Sequence, residues 1–449
     1  MQGKLNIMDD YSKKSDKLWH KANQLIPNGN SLLSKQKTLF LPQGWPTYFS
    51  KTNGLQVWDL EGVQYTDFIM SVGTNTLGYN NHHVNEKVKA VVSEGVMSTL
   101  NCPEEVYLAE RLVDLHPWAD MVKFARTGGE ANAIAVRIAR AATGRNHVAI
   151  CGYHGWHDWY LAANLRADSL DQHLIPGLKA NGVNTELKGT THSFHYNDFG
   201  ALEKIIATND LAAVVMEVER SSPPQNGFLE KVRKICSEKN IVLIFDECTS
   251  GFRETFGGLH LKYGVYPDIA MFGKALGNGY AINSVLGRRE IMEHAKESFI
   301  SSTNWTERIG PTAALATLEQ MEELKSWELL VENGNYFRNG LREFLNSRKM
   351  DVQFTGLIPL SVTQIICNFI SQSEEVAFRT LITKRFLEYN ILSYNLFYLS
   401  VLHTPSLLDR YLHIYSIIID DIIDKINSGL SIEQQLGGDP AHLTFGRLS

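Results

Sequence analysis

The sequence predicts an α/β fold, in which a mostly parallel sheet lies between helices, together with a second, smaller α+β domain. Between residues 84 and 320, short apolar runs alternate with longer stretches of helical periodicity, which is typical of strands joined by crossover helices. From about residue 325 onward, helical stretches mix with strands such as 362–368. Residues 47–69 alternate with a period of two and contain Asn-Gly and Glu-Gly turns, which predicts a small antiparallel meander.

Each strand of the predicted parallel sheet is a short apolar run bounded by helical sequence, as expected for strands buried on both faces. These strands are predicted at 121–125, 147–151, 212–217, 241–246 and 268–272. Helices are predicted at 84–98, 104–115, 129–143, 199–207, 227–239 and 311–323. Ligands bind at the carboxyl ends of the strands in such sheets, so the segments that follow the strands are the candidates for function.

Three segments make up the predicted domain organisation. Residues 1–70 combine a helix, a loop and the meander, and we expect them to belong with the small domain. Residues 71–324 form the large domain, and residues 325–449 form the rest of the small domain, which is therefore discontinuous.

Length and composition are those of an ordinary soluble, globular protein. The 449 residues are 44% hydrophobic and 20% charged, which suits two or three domains with a large core. The formal net charge of -6 offers no electrostatic reason to expect nucleic acid as a partner. The N-terminus does not resemble a secretory signal, and no apolar run approaches the roughly 20 residues that span a bilayer, so we expect no membrane association.

The cysteines are scattered along the chain and odd in number, at Cys102, Cys151, Cys236, Cys248 and Cys367. No C-x-x-C pair is present, which argues against both a disulfide framework and a zinc site. We therefore expect a reducing compartment, the cytoplasm, and no bound metal.

A glycine-containing turn precedes the predicted helix 129–143. Thr127, Gly128 and Gly129 follow an apolar strand, and an alanine-rich helix begins beside them. Free N–H groups at a helix start form an anion site together with the helix dipole, and glycine lets a phosphate approach the backbone closely. The turn therefore predicts phosphate binding, although a tight βα turn without a ligand uses the same residue types.

The loop at 152–160 is crowded with aromatic side chains. Either Tyr153 or His154 is placed to lie flat on an aromatic ring. Packing in the core or in a dimer interface is the expected role of the other large rings, Trp156, Trp159 and Tyr160. A metal site built from the two histidines and the aspartate of this loop is the alternative, but no further ligand is indicated and the spacing of zinc ligands is absent.

An acid and an amine follow two consecutive predicted strands. Asp246 ends the run 241–246, and Lys274 lies just beyond the run 268–272. Chemistry with pyridoxal phosphate (PLP) requires a lysine that forms a Schiff base with the aldehyde and a carboxylate that keeps a proton on the pyridine nitrogen. Alone, Asp246 is equally compatible with a helix cap, and Lys274 with a surface lysine. The order phosphate turn, aromatic loop, acid, lysine is far more specific and predicts a PLP site.

With these motifs in this order, the chain resembles the class III, fold type I, PLP-dependent aminotransferases, and among them the glutamate-1-semialdehyde 2,1-aminomutase-like proteins. The resemblance covers nearly the whole chain. The segments that carry it are 57–62, 77–78, 128–131, 152–155, 245–253, 263–268, 272–275, 287–290 and 401–404. It implies a large domain with a mostly parallel, seven-stranded sheet.

The resemblance also implies roles for individual residues around the cofactor ring. Lys274 corresponds to the Schiff-base lysine, which also moves protons on the substrate carbon. Asp246 corresponds to the partner of the pyridine nitrogen, and Tyr153 to the residue that stacks on one ring face. Cys248 stands where a valine usually packs on the opposite face, and Thr249 and His154 are expected to contact the cofactor.

The phosphate contacts implied by the resemblance come from two places. Thr127, Gly128 and Gly129 form the cradle of their own subunit. Thr306 lies where family members send a hydroxyl to the phosphate of the neighbouring subunit, which implies a homodimer with shared active sites. The turn itself departs from the family, because it reads Arg126-Thr-Gly-Gly129 where Ser/Asn-Gly-Thr/Ser is usual, so a hydroxyl contact is lost at Gly129 while the backbone donors remain.

Two further positions bear on the substrate. Aminomutases carry an arginine in the N-terminal loop that holds the substrate carboxylate, and an ungapped comparison puts Lys35 there. Lysine is a point charge without the two-pronged guanidinium geometry, so this difference is not conservative. Glu217 belongs to a Glu-Val pair where the family usually has Glu-Pro. We expect Lys35 and Glu217 to contact the substrate.

The predicted activity is PLP-dependent transfer of an amino group from an amino donor to an aldehyde or keto acceptor. If donor and acceptor are the same molecule, the enzyme is an aminomutase, an isomerase. Another PLP reaction, such as racemisation or decarboxylation, and a non-catalytic scaffold are further alternatives. Retention of both Asp246 and Lys274 argues against a scaffold, since binding alone does not need the lysine. Whether the acceptor is a keto acid or a sugar stays open.

Overall fold

The computed structural model describes residues 13–166, 170–171 and 177–442. Residues 1–12 and 443–449 of the expected terminal segments therefore lie outside the described residues. The chain divides into two compact units. The central unit consists of Thr74–Leu77 and Asn81–Leu329, and the terminal unit of Met1–Gly73, Gly78–Asn80 and Leu330–Ser449.

The strands of the described residues are, in chain order, β1 (Phe49–Asn53), β2 (Gln56–Asp59), β3 (Gln64–Asp67), β4 (Met121–Ala125), β5 (His147–Cys151), β6 (Thr191–Ser193), β7 (Leu211–Met216), β8 (Val242–Glu247), β9 (Ile269–Phe272), β10 (Asn283–Gly287), β11 (Asp351–Thr355), β12 (Leu360–Ile366), β13 (Ile391–Leu392) and β14 (Leu396–Tyr398).

The helices are α1 (Lys13–Leu25), α2 (Met70–Gly73), α3 (His82–Glu94), α4 (Pro103–Leu115), α5 (Gly128–Thr143), α6 (Asp158–Leu161), α7 (Phe199–Thr208), α8 (Phe228–Glu238), α9 (His260–Tyr263), α10 (Arg289–Met292), α11 (Ile309–Leu324), α12 (Ser326–Asn346), α13 (Glu375–Leu387), α14 (Pro405–Asn427) and α15 (Ile432–Leu436). Short 3₁₀ helices lie between them, including Leu33–Lys35, Lys274–Gly277 and Thr303–Thr306.

The sheet of the central unit has seven strands in the order β4-β10-β9-β8-β7-β5-β6. Neighbouring strands from β9 through β6 are parallel, whereas β10 is antiparallel to both β9 and β4. The prediction of a mostly parallel, seven-stranded sheet between helices is therefore confirmed. All the strands predicted from apolar runs are present within a residue or two of their expected bounds.

The strands β6 and β10 were not predicted from individual runs. The β6 strand has only three residues, Thr-His-Ser, so it carries no apolar signal. The β10 strand is buried throughout, but its sequence Asn-Ser-Val-Leu-Gly begins and ends with residues that are typical of turns. Its burial comes from its neighbours β4 and β9, which its own sequence does not reveal.

Local chemistry determines where several helices begin and end. Asn81 caps α3 because its side chain accepts a hydrogen bond from the N–H of Val84. The helix was predicted to continue to residue 98 but ends at Glu94, because Gly95 adopts φ +117°, a conformation that favours glycine. One face of α5 is buried in the core that also contains Val148, Ile150 and Ile244.

The terminal unit contains two small sheets. The strands β1, β2 and β3 form the predicted antiparallel meander, and β13 pairs with β3 in parallel. The second sheet has the order β11-β12-β14 and is antiparallel throughout. The strand predicted at 362–368 is β12, displaced by two residues. Aromatic rings dominate the core of this unit, where Phe386 and Tyr411 stack at 4.6 Å between centroids.

No helix among the described residues is long and apolar enough to cross a lipid bilayer.

Candidate active site

The candidate site residues of the central unit are contributed by segments that follow parallel strands of its sheet. The strands β5, β7, β8 and β9 run in one direction, so their carboxyl ends lie at the same edge. Tyr153 follows β5, Glu217 follows β7, Asp246 ends β8, and Lys274 follows β9. The phosphate turn follows β4 and opens α5. This convergence places the predicted residues at the edge where ligands bind in such sheets.

Lys274 is held at the start of a 3₁₀ helix in an unusual backbone conformation. Its φ is +41°, a region that non-glycine residues rarely adopt, so the surrounding structure must impose it. Its Nζ donates a hydrogen bond to Oγ1 of Thr249 at 2.6 Å. A Cβ on the preceding Gly273 would collide with the amide of Asn283, so only glycine fits there. The backbone and the hydrogen bond to Thr249 therefore hold the amine of Lys274 in one position.

Burial lowers the pKa of Lys274, and the positive charge of Arg253 lowers it further. Arg253 is fully buried and donates to the carbonyl oxygen of Thr249 at 2.6 Å and to Oγ1 of Thr76 at 3.2 Å. The charges of Asp246 and Glu217 act in the opposite direction but do not restore the ordinary value. A lowered pKa gives the amine a larger neutral fraction near neutral pH, which proton transfer requires.

The carboxylate of Asp246 is buried, and three polar contacts fix its orientation. Its Oδ2 accepts a hydrogen bond from Nδ2 of Asn132 and lies 2.9 Å from Nδ1 of His154, and its Oδ1 accepts from the N–H of Cys248 at 3.1 Å. Burial by itself raises the pKa of Asp246, but these hydrogen bonds and the His154 charge outweigh it and leave the pKa below its ordinary value. The group is therefore an anion with acceptor capacity left on Oδ1.

His154 contacts Asp246, because its Nδ1 lies 2.9 Å from Oδ2 of that carboxylate. Its ring is fully buried, and its Nε2 has no hydrogen-bond partner among the described residues. The side chain of Tyr153 is 47% exposed, and burial raises its pKa. Of the two rings considered for stacking, Tyr153 is therefore the accessible one, and its stacking stays a prediction. The loop needs Gly152 at φ +120°, because a Cβ there would collide with the carboxylate of Glu217.

The other rings of the loop separate into two groups. Trp159 and Tyr160 are buried in packing, as expected, whereas Trp156 is 69% exposed and stacks on His157 at 4.6 Å. Among the described residues no group of three or more histidine, cysteine, aspartate or glutamate side chains is arranged to hold a metal ion.

The phosphate turn has the geometry of an anion cradle. Thr127 caps α5 through a capping box with Glu130, and the N–H groups of Gly128 and Gly129 lie in the first turn, where no partner within the helix exists. A Cβ on Gly129 would come within 2.8 Å of the His157 ring, and Gly155 packs against Gly129 so closely that it too must be glycine. The cradle is thus lined by backbone, as a phosphate requires.

Arg126 connects this turn to the segment that contains Thr306. Its guanidinium forms an ion pair with Glu307 at 2.8 Å and donates to the carbonyl oxygens of Trp305 and Glu307. Glu307 in turn accepts from the first N–H groups of α11. Arg126 of this turn therefore has a structural partner in Glu307, and its contacts with Trp305 and Glu307 hold the backbone on both sides of Thr306.

Thr306 lies on the exposed 3₁₀ helix Thr303–Thr306, where its hydroxyl donates to the carbonyl oxygen of Thr303 at 2.9 Å and lies 3.7 Å from the sulfur of Met97. Lys35 belongs to the terminal unit, where it is exposed at the end of the 3₁₀ helix Leu33–Lys35.

Glu217 is a half-buried carboxylate that forms an ion pair with Arg220. Its Oε2 lies 3.4 Å from Nη1 of Arg220 and accepts from the N–H of Tyr153 at 3.3 Å. Burial raises the pKa of Glu217, and Arg220 only partly offsets this effect. Two carboxylates of the same site therefore differ, since the pKa of Asp246 is lowered and that of Glu217 is raised.

Several contributors were missed by reasoning from the sequence: Asn132, Arg253, Arg220 and Asn283. Asn132 could have been suspected, because a polar residue interrupts an otherwise apolar helix face one turn after the phosphate turn. Arg253 and Asn283 carry no local signal, since each acts on a residue far away in the chain.

The arrangement fits PLP on structural grounds. An oriented, anionic carboxylate, a half-buried lysine with a lowered pKa and a glycine cradle at a helix start match the ring nitrogen, the aldehyde and the phosphate of that molecule. A Cβ at Gly128 would lie 3.5 Å from the sulfur of Cys248, so the cradle and the residue expected on the ring face adjoin each other.

Comparison with known proteins agrees with this chemistry. The sequence profile of the family described as aminotransferase class-III matches residues 43–364. The 3-aminobutyryl-CoA aminotransferase of Cloacimonas acidaminovorans is 32% identical over 356 residues, which cover 76% of this chain and 81% of that protein. The glutamate-1-semialdehyde 2,1-aminomutase of Methanothrix thermoacetophila is 33% identical over 353 residues, which cover 76% and 80%.

Solved structures share the fold. The FumI protein of Sphingopyxis sp. MTA144, determined with PLP, superposes with a TM-score of 0.82 at 23% identity and covers 94% of this chain and 99% of its own. An omega-transaminase from Sphaerobacter thermophilus superposes with a TM-score of 0.79, also at 23% identity, and covers 93% and 99%.

Proposed function

This chain belongs to the class III aminotransferase family, and we propose which of its residues carry out the amino transfer of that family and on what kind of substrates. It is a PLP-dependent enzyme with the fold type I architecture. The proposal is that an amino donor and a separate carbonyl acceptor react in turn beside Lys274 and Asp246. The observation that carries it is that Lys274, whose pKa is lowered, and Asp246, a carboxylate held by hydrogen bonds, lie at the same edge of the sheet.

Asp246 would hold a proton on the ring nitrogen of the cofactor through Oδ1. Asn132 and His154 hold the carboxylate in position and favour its anionic form. When bound, PLP supplies a protonated ring that takes up the electron pair left on a substrate carbon after its proton is removed. The three side chains together thus determine how strongly that ring attracts electrons.

Lys274 would move the proton at the substrate carbon through Nζ. The hydroxyl of Thr249 holds the amine at 2.6 Å, and burial together with the charge of Arg253 lowers the pKa of Lys274, which enlarges the neutral fraction that can act as a base. Because φ is strained at Lys274, the backbone restricts the directions that the amine can reach.

Thr127, Gly128 and Gly129 would hold the phosphate, with the backbone N–H groups of the two glycines as the main donors, since the N–H of Thr127 donates to Glu130. Tyr153 would cover one face of the ring and Cys248 the other. These contacts would exclude water from the ring and fix its orientation relative to Lys274.

Glu217 and Arg220 offer a polar pair for the substrate. Arg220 is partly exposed beside Glu217, and a guanidinium can pair through two parallel hydrogen bonds with a substrate carboxylate. Lys35 of the terminal unit is the second proposed contact for an anionic group. The two cationic side chains, Arg220 and Lys35, therefore favour a substrate that carries a carboxylate.

An intramolecular aminomutase is the second candidate. Curated relatives at 30–33% identity include several glutamate-1-semialdehyde 2,1-aminomutases. Lys35 argues against the aminomutase, because it stands at the position where we expect those enzymes to have an arginine that holds the substrate carboxylate. The two candidates differ in whether a second substrate is needed.

An assay of the purified holoenzyme separates them. L-Glutamate, L-alanine and a β-amino acid are offered as donors with 2-oxoglutarate or pyruvate as acceptor, and product is followed by chromatography. We expect product only when donor and acceptor are both present. Conversion of glutamate-1-semialdehyde to its isomer without any acceptor would establish the aminomutase, and no turnover in either format would reject both.

A homodimer is proposed as the working form. The surface around Thr306 exposes apolar side chains that a second copy would cover, among them Met97, Leu100 and Phe299, which is 90% exposed. Light scattering after size exclusion should yield twice the chain mass.

A reducing compartment such as the cytoplasm is proposed because all five cysteines are free thiols. Alkylation of intact cells should modify them without prior reduction.

A further inference from the structure

A cavity of about 260 Å³ in the terminal unit lies among residues of the β11-β12-β14 sheet and of helices α13 and α14. Three of its lining residues, Gln353, Thr355 and Gln364, are exposed and therefore form its opening to solvent. None of its lining residues is a candidate active-site residue. A cavity of this size holds several water molecules at ~30 Å³ each, and hence a ligand of on the order of ten non-hydrogen atoms.

Arg379 stands in the wall of this cavity and lies over the ring of Tyr394 at 4.8 Å. Its Nε and Nη2 are buried and have no hydrogen-bond partner among the residues that the structure describes. These two nitrogens share one edge of the guanidinium, the edge that pairs side-on with a carboxylate. A buried cationic donor without an acceptor is costly, so the site lacks a group that the protein does not supply.

A carboxylate lines the same cavity one helical turn earlier. Oε1 of Glu375 accepts from Nε2 of Gln364 at 3.1 Å, and a carboxylate has capacity for further donors. Asn395 adds a buried Oδ1 for which the described part of the chain offers no hydrogen-bond partner. The polar part of the wall thus presents one cation and one anion together with an amide acceptor.

The rest of the wall is aromatic. Phe378, Phe397, Tyr411 and Tyr415 are all buried and belong to the core of the terminal unit. Such rings favour an apolar or aromatic body and would not favour a second charge.

We propose that this cavity binds a free α-amino acid with an apolar side chain. Its carboxylate pairs with the Nε and Nη2 edge of Arg379, which a rotation of the arginine side chain turns into the cavity. Its ammonium group pairs with Glu375, and its side chain lies against the aromatic wall. An inorganic phosphate or a dicarboxylate fits less well, because Glu375 would repel the added negative charge.

Calorimetric titration of the holoenzyme with L-leucine and L-phenylalanine tests the proposal, with the absorbance of the cofactor recorded in parallel to follow the catalytic site. We expect saturable binding in addition to any event at the catalytic site. Arg379→Met should weaken it about tenfold or more, since one charge-assisted pair is lost. Arg342→Met, the same change at an exposed arginine of this unit, should leave it unchanged.

Two further measurements do not depend on whether Arg379→Met folds: one uses leucinamide as the ligand, and the other uses the variant Glu375→Gln. Leucinamide lacks the carboxylate and should not bind this site in the unaltered enzyme, and Glu375→Gln should weaken L-leucine binding. The proposal is overturned by the absence of saturable binding of both amino acids at millimolar concentration. It is also overturned if leucinamide binds as well as L-leucine, or if Arg379→Met and Arg342→Met behave alike.

Discussion

The amine of Lys274 donates a hydrogen bond to the hydroxyl of Thr249 at 2.6 Å, although the two residues follow different strands of the sheet. The contact fixes the one amine that the proposed chemistry needs. It also connects Lys274 to Arg253, because Arg253 binds the carbonyl oxygen of Thr249. The position and the pKa of the lysine therefore depend on the same short segment.

Replacing Thr249 by alanine should lower kcat about tenfold with little change in KM, because the hydroxyl positions the amine and does not bind substrate. Thr249→Ser keeps the hydroxyl and should recover most of the loss. Steady-state kinetics over a range of pH provide the measurement. A serine variant as slow as the alanine variant would show that the methyl group, and not the hydroxyl, is what matters.

Replacing Lys274 by alanine should reduce turnover by at least about a hundredfold, because the proposed base is removed. After borohydride treatment, peptide mass spectrometry should find the mass of the cofactor on the peptide that contains Lys274 in the unaltered enzyme. Lys296→Ala, at an exposed lysine of the same unit, serves as the control and should behave as the unaltered enzyme. Attachment of the cofactor to any other lysine would end the assignment.

Asp246→Asn should fold and still bind PLP but lose at least about a hundredfold in kcat, because a neutral amide cannot stabilise a proton on the ring nitrogen. Asp210→Asn changes an exposed carboxylate in the same way and should leave the rate unchanged. The cofactor absorbance and kcat are measured on both proteins. Full activity in Asp246→Asn would remove the proposed role of this carboxylate.

Gly129→Ala should weaken PLP binding about tenfold, because the added Cβ comes within 2.8 Å of the His157 ring and disturbs the cradle. Gly200→Ala is the matched control at a helix start, where the closest atom to a Cβ is 3.7 Å away. Cofactor titration followed by fluorescence measures the affinity. Equal affinities in the two variants would mean that the phosphate is held elsewhere.

Two buried histidines should make the protein less stable as the pH falls from neutral. Burial lowers the pKa of His116 and of His403 to about 4, whereas the unfolded chain titrates near 6.5. Between these values the unfolded state binds more protons, so stability is complete above about pH 6.5 and is lost towards pH 4. Each histidine contributes up to about 3 kcal/mol by this linkage.

Thermal unfolding at pH values from about 7 to about 5 checks the histidine prediction, because most carboxylates are still ionised in that window. His403→Gln should be less stable at neutral pH, since His403 accepts from the N–H of Ser400, but its midpoint should fall less steeply with acid. An unaltered protein whose midpoint does not change across this window would contradict the linkage.

The sequence by itself determined the type of fold and the chemical groups of the site. Apolar runs and helical periodicity are local properties, and they located the predicted strands of the central sheet because burial on both faces requires such runs. The nature of Lys274 and Asp246, at the ends of consecutive strands, was equally visible. The family resemblance then supplied the expected cofactor and the seven-stranded sheet.

Only the tertiary structure decided which side chains meet. Asn132 and His154 orient Asp246 across 114 and 92 residues of sequence, and Arg253 reaches Thr76 across 177 residues. Such partners are selected by packing between elements that are distant in the chain, and no local pattern encodes them. The assignment of His154 to Asp246, of Arg126 to Glu307 and of the cavity beside Arg379 therefore came from the folded chain, since hydrogen bonds and desolvation depend on distances that exist only after folding.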